Sequence, residues 1–483
     1  MIGILLDDHA YEQDIRELLM AFYPGETFVH EENPDVDFSV KCNRNTEGTA
    51  YEIEIISPGS AVLYPECLPV DIVPDNRFET KNRIKRRLYD LLHARTGKQL
   101  PWGTLTGIRP TKIATAMLEQ GHAKEEIAHY MKEKYLTGDD KIQLTIATAQ
   151  HEKQLLSVFD YHHGYSLYIG IPFCPTTCLY CSFTSYPISR WIGRTSLYLE
   201  ALYKEMEAVA KAMRGKTLDT VYFGGGTPTA LPAEDLDALL TQLEMIFDLS
   251  EIRELTVEAG RPDSITGEKM AVLRKHHVTR ISINPQTMKQ ETLDIIGRRH
   301  TVQDVKDCFH LARELGFDNI NMDLIIGLPE ETLDDVKRTM DEIRQLDPDS
   351  ITVHSLAIKR AARLSTMKEH YEKMTFINTQ EMIDLTAEYA ADMGMEPYYL
   401  YRQKNMAGNF ENVGYARPGK ACLYNILIME EKQTIAACGA GTTTKVAFPE
   451  ENRLERIENV KDVDLYIQRI DEMIEKKLAK FRF

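Results

Sequence analysis

The sequence predicts an α/β fold whose central element is a partial (β/α)6 barrel of parallel strands. Short, nearly continuous apolar strands alternate six times with amphipathic helical stretches between residues 161 and 360. Such alternation indicates right-handed βαβ units, and functional residues then follow the carboxyl ends of the strands. The strand candidates are residues 166–173, 219–226, 254–260, 280–287, 319–329 and 350–358.

Two further regions flank the predicted barrel. Residues 1–160 mix strand and helix patterns and predict an N-terminal α+β accessory domain. Residues 361–483 contain two helical stretches separated by irregular sequence rich in Tyr and Gly, and predict a mostly helical C-terminal region that covers the substrate. A chain of 483 residues has room for about three domains.

The composition indicates a globular protein with an acidic surface. The hydrophobic fraction is 43%, and the formal net charge is -17. This charge argues against a nucleic-acid partner or a membrane-surface partner, because both require a cationic footprint. No apolar run is long enough to span a bilayer, and acidic residues follow the start too closely for a signal peptide. We therefore predict a cytoplasmic protein without membrane insertion.

The N-terminal domain carries two stretches with basic residues. Residues 78–97 predict a helix with several Lys and Arg side chains, for which a solvated face is the usual explanation. Residues 101–113, "PWGTLTGIRPTKI", form a Gly- and Pro-containing loop that leads into a helix. Trp102, Arg109 and Lys112 are compatible with an anion-binding loop at a helix N-terminus, and a plain domain junction explains them about as well.

Three of the eight cysteines lie together after the first barrel strand. Cys174, Cys178 and Cys181 form the pattern C-x3-C-x2-C. A structural zinc site and an electron-transfer [4Fe-4S] cluster each require four protein ligands, and no second Cys or His pair follows at a suitable spacing. Three thiolates on a four-iron cluster leave one iron open to a small chelating molecule. A zinc site that takes a distant fourth ligand is the alternative.

A glycine-rich segment ends the second predicted strand. Its sequence, "GGGTPT", spans residues 224–229. Glycine at this place allows backbone groups to approach a ligand without interference from a Cβ atom. A glycine run alone is also typical of an ordinary βα turn, but its position beside the cysteine loop favours a ligand-binding role.

The cysteine spacing and its position resemble the radical S-adenosylmethionine (SAM) superfamily. The resemblance implies a [4Fe-4S] cluster on Cys174, Cys178 and Cys181, with SAM chelating the open iron. In that superfamily an electron from the cluster cleaves SAM, and the resulting radical abstracts a hydrogen atom from the substrate. A reduced flavodoxin or ferredoxin-like protein is the implied electron donor.

Further stretches resemble the coproporphyrinogen dehydrogenase-like branch of the superfamily, and the N-terminal domain resembles its HemZ type. The matching stretches are "YIGIPFC", "VEAGRP", "RISINPQT", "IGRRH" and "NMDLIIGLP". The third departs from the family pattern, because Asn284 and Pro285 replace Gly and Val. The resemblance implies two SAM molecules. Their expected contacts are Tyr168, Tyr180, Gly225, Gly226, Thr227, Glu258, Gln286, Arg298, Asp323 and Ala357.

This branch implies a porphyrin substrate. The expected reaction is oxidative decarboxylation of two propionates of coproporphyrinogen III to give protoporphyrinogen IX, with Tyr168 as the catalytic candidate near the cluster. The substrate carries four carboxylates, so cations should gather at the mouth of the site. The candidates are Arg261, Arg298, Arg299, Lys359, Arg360, Arg363, Arg402 and Lys404.

Two other functions stay open in the same resemblance. Phe183 stands where the decarboxylases of the family have a further cysteine, and the haem-chaperone branch also has Phe there. The chaperone motif H-N-x-x-Y-W is incomplete, because Lys420 and Ala421 replace its His and Asn. Cys422 is a substitute candidate for the missing iron ligand. A methyltransferase that opens the haem ring is the third possibility.

Overall fold

The computed structural model describes residues 1–59, 61–63, 68–107, 109–357, 374–402, 410–451 and 453–481. The chain divides into two compact units. The N-terminal unit comprises Met1–Gln150 and Leu400–Glu411, and the barrel unit comprises His151–Tyr399 and Asn412–Phe483. The three-domain division with boundaries at residues 160 and 360 stays a prediction, and the compact units group residues 412–483 with the barrel.

The N-terminal unit contains a five-stranded mixed sheet in the order β2-β1-β3-β4-β5. Helices α1 and α2 pack on this sheet through a shared apolar core that includes Leu18, Phe22, Ile84 and Leu88. The strands are β1 (Ile2–Leu6), β2 (Phe28–Val29), β3 (Phe38–Arg44), β4 (Ala50–Ile56) and β5 (Val70–Asp71). The helices are α1 (Glu12–Phe22), α2 (Arg77–Thr96), α3 (Thr111–Glu119), α4 (Lys124–Tyr135) and α5 (Asp139–Leu156).

Helix α2 confirms the helix predicted over residues 78–97. Asn76 caps its N-terminus by accepting from Glu79 N, and Gly97 ends it with a φ of 67°. A positive φ favours glycine at this position. One of its basic side chains is not solvated, because Lys85 is buried and donates to Thr106 Oγ1 at 2.8 Å. Burial lowers the pKa of Lys85 to about 8.

The loop that follows α2 is anchored by a buried tryptophan. The indole of Trp102 is fully buried, and its Nε1 donates to Glu411 Oε2 at 2.7 Å. Lys141 Nζ pairs with the other oxygen of Glu411 at 2.6 Å. The loop therefore has a packing role inside the N-terminal unit, and anion binding by Arg109 and Lys112 stays a prediction.

The barrel unit contains the predicted series of parallel strands. They are β6 (Gly164–Ile171), β9 (Thr217–Gly225), β10 (Glu254–Glu258), β11 (Arg280–Ser282), β12 (Ile320–Ile326) and β13 (Ser350–Ser355), paired in chain order. The connecting helices are α6 (Thr195–Ala212), α7 (Ala233–Ile246), α8 (Gly267–Lys275), α9 (Gln290–Ile295), α10 (Val302–Glu314) and α11 (Leu333–Leu346). A small parallel pair, β7 (Phe173–Cys174) and β8 (Tyr186–Pro187), follows β6. This confirms the α/β class.

The C-terminal region is richer in strands than the sequence predicts. Its helices are α12 (Gln380–Asp392), α13 (Leu423–Glu430), α14 (Val463–Gln468) and α15 (Ile470–Leu478). Its strands are β14 (Glu396–Tyr401), β15 (Asn412–Ala416), β16 (Thr434–Cys438), β17 (Thr443–Phe448) and β18 (Arg453–Glu458). They extend both edges of the barrel sheet, with β15 antiparallel to β13 and β16 parallel to β6. The small residues of "TIAAC" and the charged residues of "RLERIE" are not typical of strands, so residue propensities do not predict β16 and β18.

The barrel strands alternate between apolar and polar side chains, and are less continuously apolar than predicted. Thr220 Oγ1 donates to Ser166 Oγ at 2.9 Å, between β9 and β6. Ser350 and Thr352 of β13 both donate to Asn321 Oδ1 of β12. Side chains that bond across neighbouring strands share one face of the sheet. The barrel interior is therefore polar, while the apolar side chains face the helices.

None of the helices in the described ranges combines the length and apolar character needed to span a bilayer.

A fully buried ion pair joins the C-terminal helix α15 to α6. Lys477 Nζ binds Glu205, and the same carboxylate accepts from Gly439 N at 2.8 Å and from Tyr466 OH at 2.6 Å. A buried charge is stable only when its hydrogen-bonding capacity is met. The C-terminal helix is thus fixed to the barrel by a satisfied polar network.

We expect Lys477→Met to lower the free energy of unfolding by about 3 to 5 kcal/mol, because the Glu205 carboxylate stays buried without its cation. Chemical denaturation followed by circular dichroism measures this change. Lys204→Met is the matched control, since Lys204 and Asp471 form an exposed pair between the same two helices. That pair should contribute about 0 to 1 kcal/mol. Equal losses in the two variants would contradict the prediction.

Candidate functional site

The cysteine loop leaves β7 and is packed against the barrel. Cys174 and Cys178 are buried, and Cys181 is partly exposed. Leu179, between them, donates its backbone N–H to Ile296 O at 3.0 Å and packs in an apolar cluster with Leu293 and Leu328. The three thiols are thus presented by a loop whose central leucine is anchored in the core.

A buried arginine ties this loop to the end of the third barrel strand. Arg261 Nη1 donates to Cys178 Sγ at 3.3 Å and to Thr176 O at 3.1 Å. Asp263 pairs with the same guanidinium at 2.6 Å. Thr227 Oγ1 lies 3.4 Å from Cys174 Sγ. A cation therefore stands beside the Cys178 sulfur, and a hydroxyl stands beside the Cys174 sulfur.

The three thiols provide the donor number of a cluster that leaves one iron open. Burial raises the pKa of the Cys174 thiol to about 11, so binding a metal must displace its proton. Among the described residues, no group of three or more His, Cys, Asp or Glu side chains is arranged to hold a metal ion directly. Three thiols on one short loop match a cluster that takes three protein ligands.

The glycine-rich segment runs directly beside the strand that leads to the first cysteine. Gly226 N donates to Ile171 O at 2.8 Å, and Thr227 N donates to Phe173 O at 2.7 Å. A Cβ atom at Gly226 would lie 2.5 Å from Phe173 O. Close approach of the two backbones therefore requires glycine at this position, in addition to any ligand contact of Gly225 or Gly226.

Five barrel strands each carry one partly exposed polar side chain between buried neighbours. These residues are Tyr168, Tyr222, Glu258, Asp323 and His354. Their neighbours along the strands are largely buried, so the partial exposure marks a cavity inside the barrel. We call these five residues the interior ring. The sequence predicts three of them as site residues and misses Tyr222 and His354.

Three tyrosines stack beside Glu258 of the interior ring. The rings of Tyr168 and Tyr222 are 6.1 Å apart with an interplanar angle of 13°, and Tyr424 lies 4.6 Å from Tyr222. Tyr222 OH donates to Glu258 Oε1 at 2.6 Å. Burial raises the pKa of Glu258 to about 7, and the charge of Asp323 adds to the shift. Glu258 is therefore able to carry a proton near neutral pH.

Asp323 is held by two amides. Asn284 Nδ2 donates to Asp323 Oδ2 at 2.8 Å, and Asn321 Nδ2 donates to Oδ1 at 2.7 Å. Asn284, which replaces the usual glycine of the family pattern, therefore binds Asp323 through its side-chain amide. Asp323 is one of the predicted SAM contacts. His354 Nε2 lies 4.0 Å from the same Oδ2.

The remaining predicted SAM contacts differ in their burial and in their hydrogen bonds. Gln286 adopts a φ of 68°, and its buried Oε1 has no hydrogen-bond partner among the residues that the structure describes. Arg298 is buried and donates to the backbone oxygens of Asn284 and Gly260. Tyr180 packs at the edge of the Leu179 cluster, and Ala357 is half-buried. The unpartnered oxygen of Gln286 is the feature of this group that most directly indicates a ligand.

The predicted cationic mouth is wrong for the buried candidates, while the place of the exposed Arg299 stays a prediction. Arg261 and Arg298 are buried and engaged by the cysteine loop and by backbone oxygens, because a charge at those places must be paired. Arg299 is exposed on the surface, and Arg402 is buried within the N-terminal unit. Lys359, Arg360, Arg363 and Lys404 lie outside the described residues.

Cys422 is not available as an iron ligand. Its thiol is fully buried and donates to Glu254 Oε1 at 3.3 Å. The other oxygen of Glu254 accepts from Leu423 N at 2.7 Å, which fixes the start of α13 and thereby Tyr424. The proposed substitution of Cys422 for the missing histidine is therefore wrong, since the thiol is used to bind a carboxylate inside the fold.

We expect Glu258→Gln to become relatively more stable than the parent protein as pH rises. The Glu258 pKa is raised from 4.5 to about 7 in the folded state, so its stabilising contribution is complete below 4.5 and is lost as pH rises through 7. Denaturant unfolding of cluster-free protein at several pH values measures the difference. Glu268→Gln, at an exposed carboxyl of α8, is the control. Parallel pH curves for Glu258→Gln and the parent protein would contradict the prediction.

Comparisons with known proteins agree with this geometry. The family model for the radical SAM superfamily matches residues 168–343. The chain is 40% identical over 455 residues to the oxygen-independent coproporphyrinogen-III oxidase-like protein HemZ of Bacillus subtilis, covering 93% of this chain and 90% of that protein. It is 37% identical over 195 residues to the heme chaperone HemW of the same organism, covering 40% and 51% of the two chains.

The fold is shared with a solved structure. The coproporphyrinogen III oxidase HemN from Escherichia coli, a radical SAM enzyme, superimposes with a TM-score of 0.51 over 66% of this chain and 72% of its own, at 22% identity. The match to the HemZ protein extends over nearly the whole chain. The chain belongs to the radical SAM superfamily, in the family of oxygen-independent coproporphyrinogen-III oxidase-like proteins.

Proposed function

We propose that the chain is an enzyme that oxidatively decarboxylates two propionate side chains of coproporphyrinogen III to give protoporphyrinogen IX. The observation that supports a catalytic role is the interior ring, which places a protonatable carboxyl, Glu258, and a tyrosine stack inside the barrel. The similarity to HemZ and the fold shared with HemN support the choice of a tetrapyrrole substrate.

Residues of this chain would hold the cluster and SAM. Cys174, Cys178 and Cys181 would bind a [4Fe-4S] cluster, with Arg261 stabilising the Cys178 sulfur. Tyr180, Gly225, Gly226, Thr227 and Glu258 would bind SAM beside it. The chemistry that the cluster and SAM supply, when bound, is one-electron radical chemistry at a carbon–hydrogen bond. The protein's contribution is to position the reacting propionate and to exclude water.

Tyr168 and Glu258 would act where the substrate approaches. Tyr168 OH lies near Gly224, where an added Cβ would be 3.0 Å away, and Glu258 Oε1 borders the same spot at 3.2 Å. A protonated Glu258 presents a donor, and an ionised Glu258 presents only acceptors. We therefore assign Glu258 to hydrogen bonding with SAM and Tyr168 to the boundary between SAM and the substrate.

A second SAM molecule is part of the proposal. Gln286, Arg298, Asp323 and Ala357 would line its site, and the unpartnered Oε1 of Gln286 supports a bound donor group there. A flavodoxin or ferredoxin-like protein would reduce the cluster. A separate electron acceptor must take the electron that remains after carbon dioxide leaves, because the oxidation of each propionate releases one electron beyond the abstracted hydrogen atom.

Haem delivery is the second candidate function. Relatives named as heme chaperones and the exposed Phe183, at the place of the further cysteine of the decarboxylases, favour it. The burial of Cys422 disfavours it, since no thiol or histidine from positions 420–422 is available to bind iron. The haem-opening methyltransferase stays a third possibility, without a contact that favours it.

The deciding experiment compares turnover with haem binding. Anaerobically reconstituted protein, given SAM, dithionite and coproporphyrinogen III, should yield 5′-deoxyadenosine, and protoporphyrin fluorescence after oxidation. A Cys174→Ala variant should yield neither, because the cluster loses a ligand. Stoichiometric haem binding with no protoporphyrin would favour the chaperone. A methylated or ring-opened product from haem would favour the methyltransferase.

Loss of the Arg261 contact should weaken the cluster. We expect Arg261→Met to lower cluster affinity by about 10- to 100-fold, because the contacts to Thr176 and to the Cys178 sulfur disappear. Iron and sulfide retained after challenge with a chelator measure the change. Arg299→Met, which removes an exposed cation from the same region, is the control. Equal retention in both variants would overturn the role of Arg261.

A further inference from the structure

A guanidinium and two hydroxyls in the barrel interior have unused hydrogen-bonding capacity. Arg280 and Ser282 are 2% and 3% exposed, and Thr256 is fully buried. Arg280 donates from Nη2 to Ser350 Oγ, but its Nε has no partner among the described residues. Within the same described ranges, Thr256 Oγ1 and Ser282 Oγ are also without a partner. Buried polar groups are nearly always satisfied, so three such atoms indicate a partner from outside the chain.

The pairing of β10 with β11 places these groups together beside Glu258. Thr256 is the direct partner of Arg280, and Glu258 is the direct partner of Ser282. Directly paired residues, and residues two apart along a strand, share one face of a sheet. Since Glu258 borders the cavity, all four side chains belong to the barrel interior. Thr256 and Arg280 lie about 6.6 Å further from the carboxyl ends of the strands, so the three groups form the base of the cavity.

The charge of Arg280 is not balanced by a direct ion pair within the described part of the chain. Glu254 interacts with this charge, but both of its oxygens already bind backbone amides at the start of α13. Cys422 and Tyr222 also lie near the guanidinium, and burial raises the pKa of both groups, which keeps them neutral. Glu258 is not a fixed anion, since burial raises its pKa to about 7. Water can complete a hydrogen bond here, but it does not neutralise a buried charge.

We propose that Arg280, Thr256 and Ser282 form an anion site at the base of the barrel cavity, and that this site binds a carboxylate. The guanidinium supplies one positive charge and an N–H donor, and the two hydroxyls supply further donors to the carboxylate oxygens. The inference deepens the proposed function and rests on it for one source of the carboxylate, a propionate of the tetrapyrrole. The other source is a small free carboxylate that enters from solvent.

Removal of an unused hydroxyl separates a ligand-binding role from a structural role. Thr256→Val keeps the shape of the side chain and removes Oγ1. We expect this variant of the full chain, in buffer without carboxylates, to unfold at a higher denaturant concentration than the parent protein, because a buried hydroxyl without a partner is destabilising. It should nevertheless bind the carboxylate ligand about 10-fold more weakly. A lower unfolding midpoint with unchanged affinity would overturn the proposal, since the hydroxyl would then serve the fold.

Titrations of the full chain test the charge. Coproporphyrin III and its uncharged tetra-amide are titrated against the parent protein, Arg280→Gln and Arg280→Lys, and binding is followed by fluorescence. In a parallel arm, acetate and acetamide are compared by the rise that each causes in the denaturation midpoint, since a ligand of the folded state stabilises it. Arg274→Gln, at an exposed position of α8, is the matched control. Circular dichroism establishes that each variant is folded.

We expect Arg280→Gln to lose about 10- to 100-fold in affinity for the carboxylate and none for its uncharged counterpart, as a hydrogen bond to a charged group is removed. Arg280→Lys should retain part of the affinity, because it keeps the charge. Loss with coproporphyrin III identifies the propionate, and loss of the acetate effect alone identifies a free carboxylate. An equal loss for charged and uncharged ligands would overturn the proposal. If Arg280→Gln does not fold, Thr256→Val decides.

Two outcomes separate this inference from the proposed function. Carboxylate-dependent binding that requires Arg280, in a protein that forms no protoporphyrin, would keep the anion site and overturn the decarboxylase. Protoporphyrin formation by a protein whose Arg280→Gln and Thr256→Val variants bind every ligand as the parent does would keep the decarboxylase and overturn the anion site.

Discussion

The backbone hydrogen bonds between the first two barrel strands are the constraint on which the site depends. Pairing of β6 with β9 continues past the strand ends, where Gly226 and Thr227 donate to Ile171 and Phe173. This continuation brings the glycine segment alongside the residue that precedes Cys174. A side chain at Gly226 would collide with the backbone of Phe173 and separate the two. The position of the first cysteine is thus set by main-chain geometry, before any metal binds.

The second organising feature is the polar interior of the barrel. Arg280 donates to Ser350 Oγ at 3.1 Å, while its Nε, Thr256 Oγ1 and Ser282 Oγ have no partner in the described part of the chain. Thr256 and Arg280 are direct partners in the pairing of β10 with β11. Buried polar groups are costly unless solvent or a ligand completes their hydrogen bonds. An interior of this kind is suited to polar ligands and explains why the strands tolerate so many polar residues.

Much of the fold follows from local sequence. The parts that do not follow from it can be explained physically. The alternation of strand and helix and the cysteine spacing predict the barrel and its loop, because both are local patterns. The strands of the C-terminal region are harder to predict, since β16 is built from small residues and gains its stability from pairing with β6. Tertiary pairing of that kind overrides the weak propensity of the segment.

The same distinction applies to the site. Cys174, Glu258 and Asp323 are recognisable because each belongs to a motif, whereas Tyr222 and His354 are single residues in ordinary strands. The sequence did offer one signal for these two residues, the alternation of polar and apolar residues along each strand. Tyr222 and His354 each follow an apolar residue that the structure buries. The buried cationic candidates fail for a different reason. Charge in a sequence does not reveal whether a guanidinium faces solvent or binds a backbone oxygen in the interior.

The stack of Tyr168, Tyr222 and Tyr424 gives the C-terminal region a role in the site. Tyr424 lies in the first turn of α13, whose N-terminal amides are bound by Glu254 at the start of β10. A barrel strand therefore holds the helix that completes its own interior. Since the two other tyrosines come from β6 and β9, displacement of α13 would expose both rings and the Glu258 carboxyl to solvent. The dielectric around Glu258, and hence its raised pKa, depends on a segment distant from it in sequence.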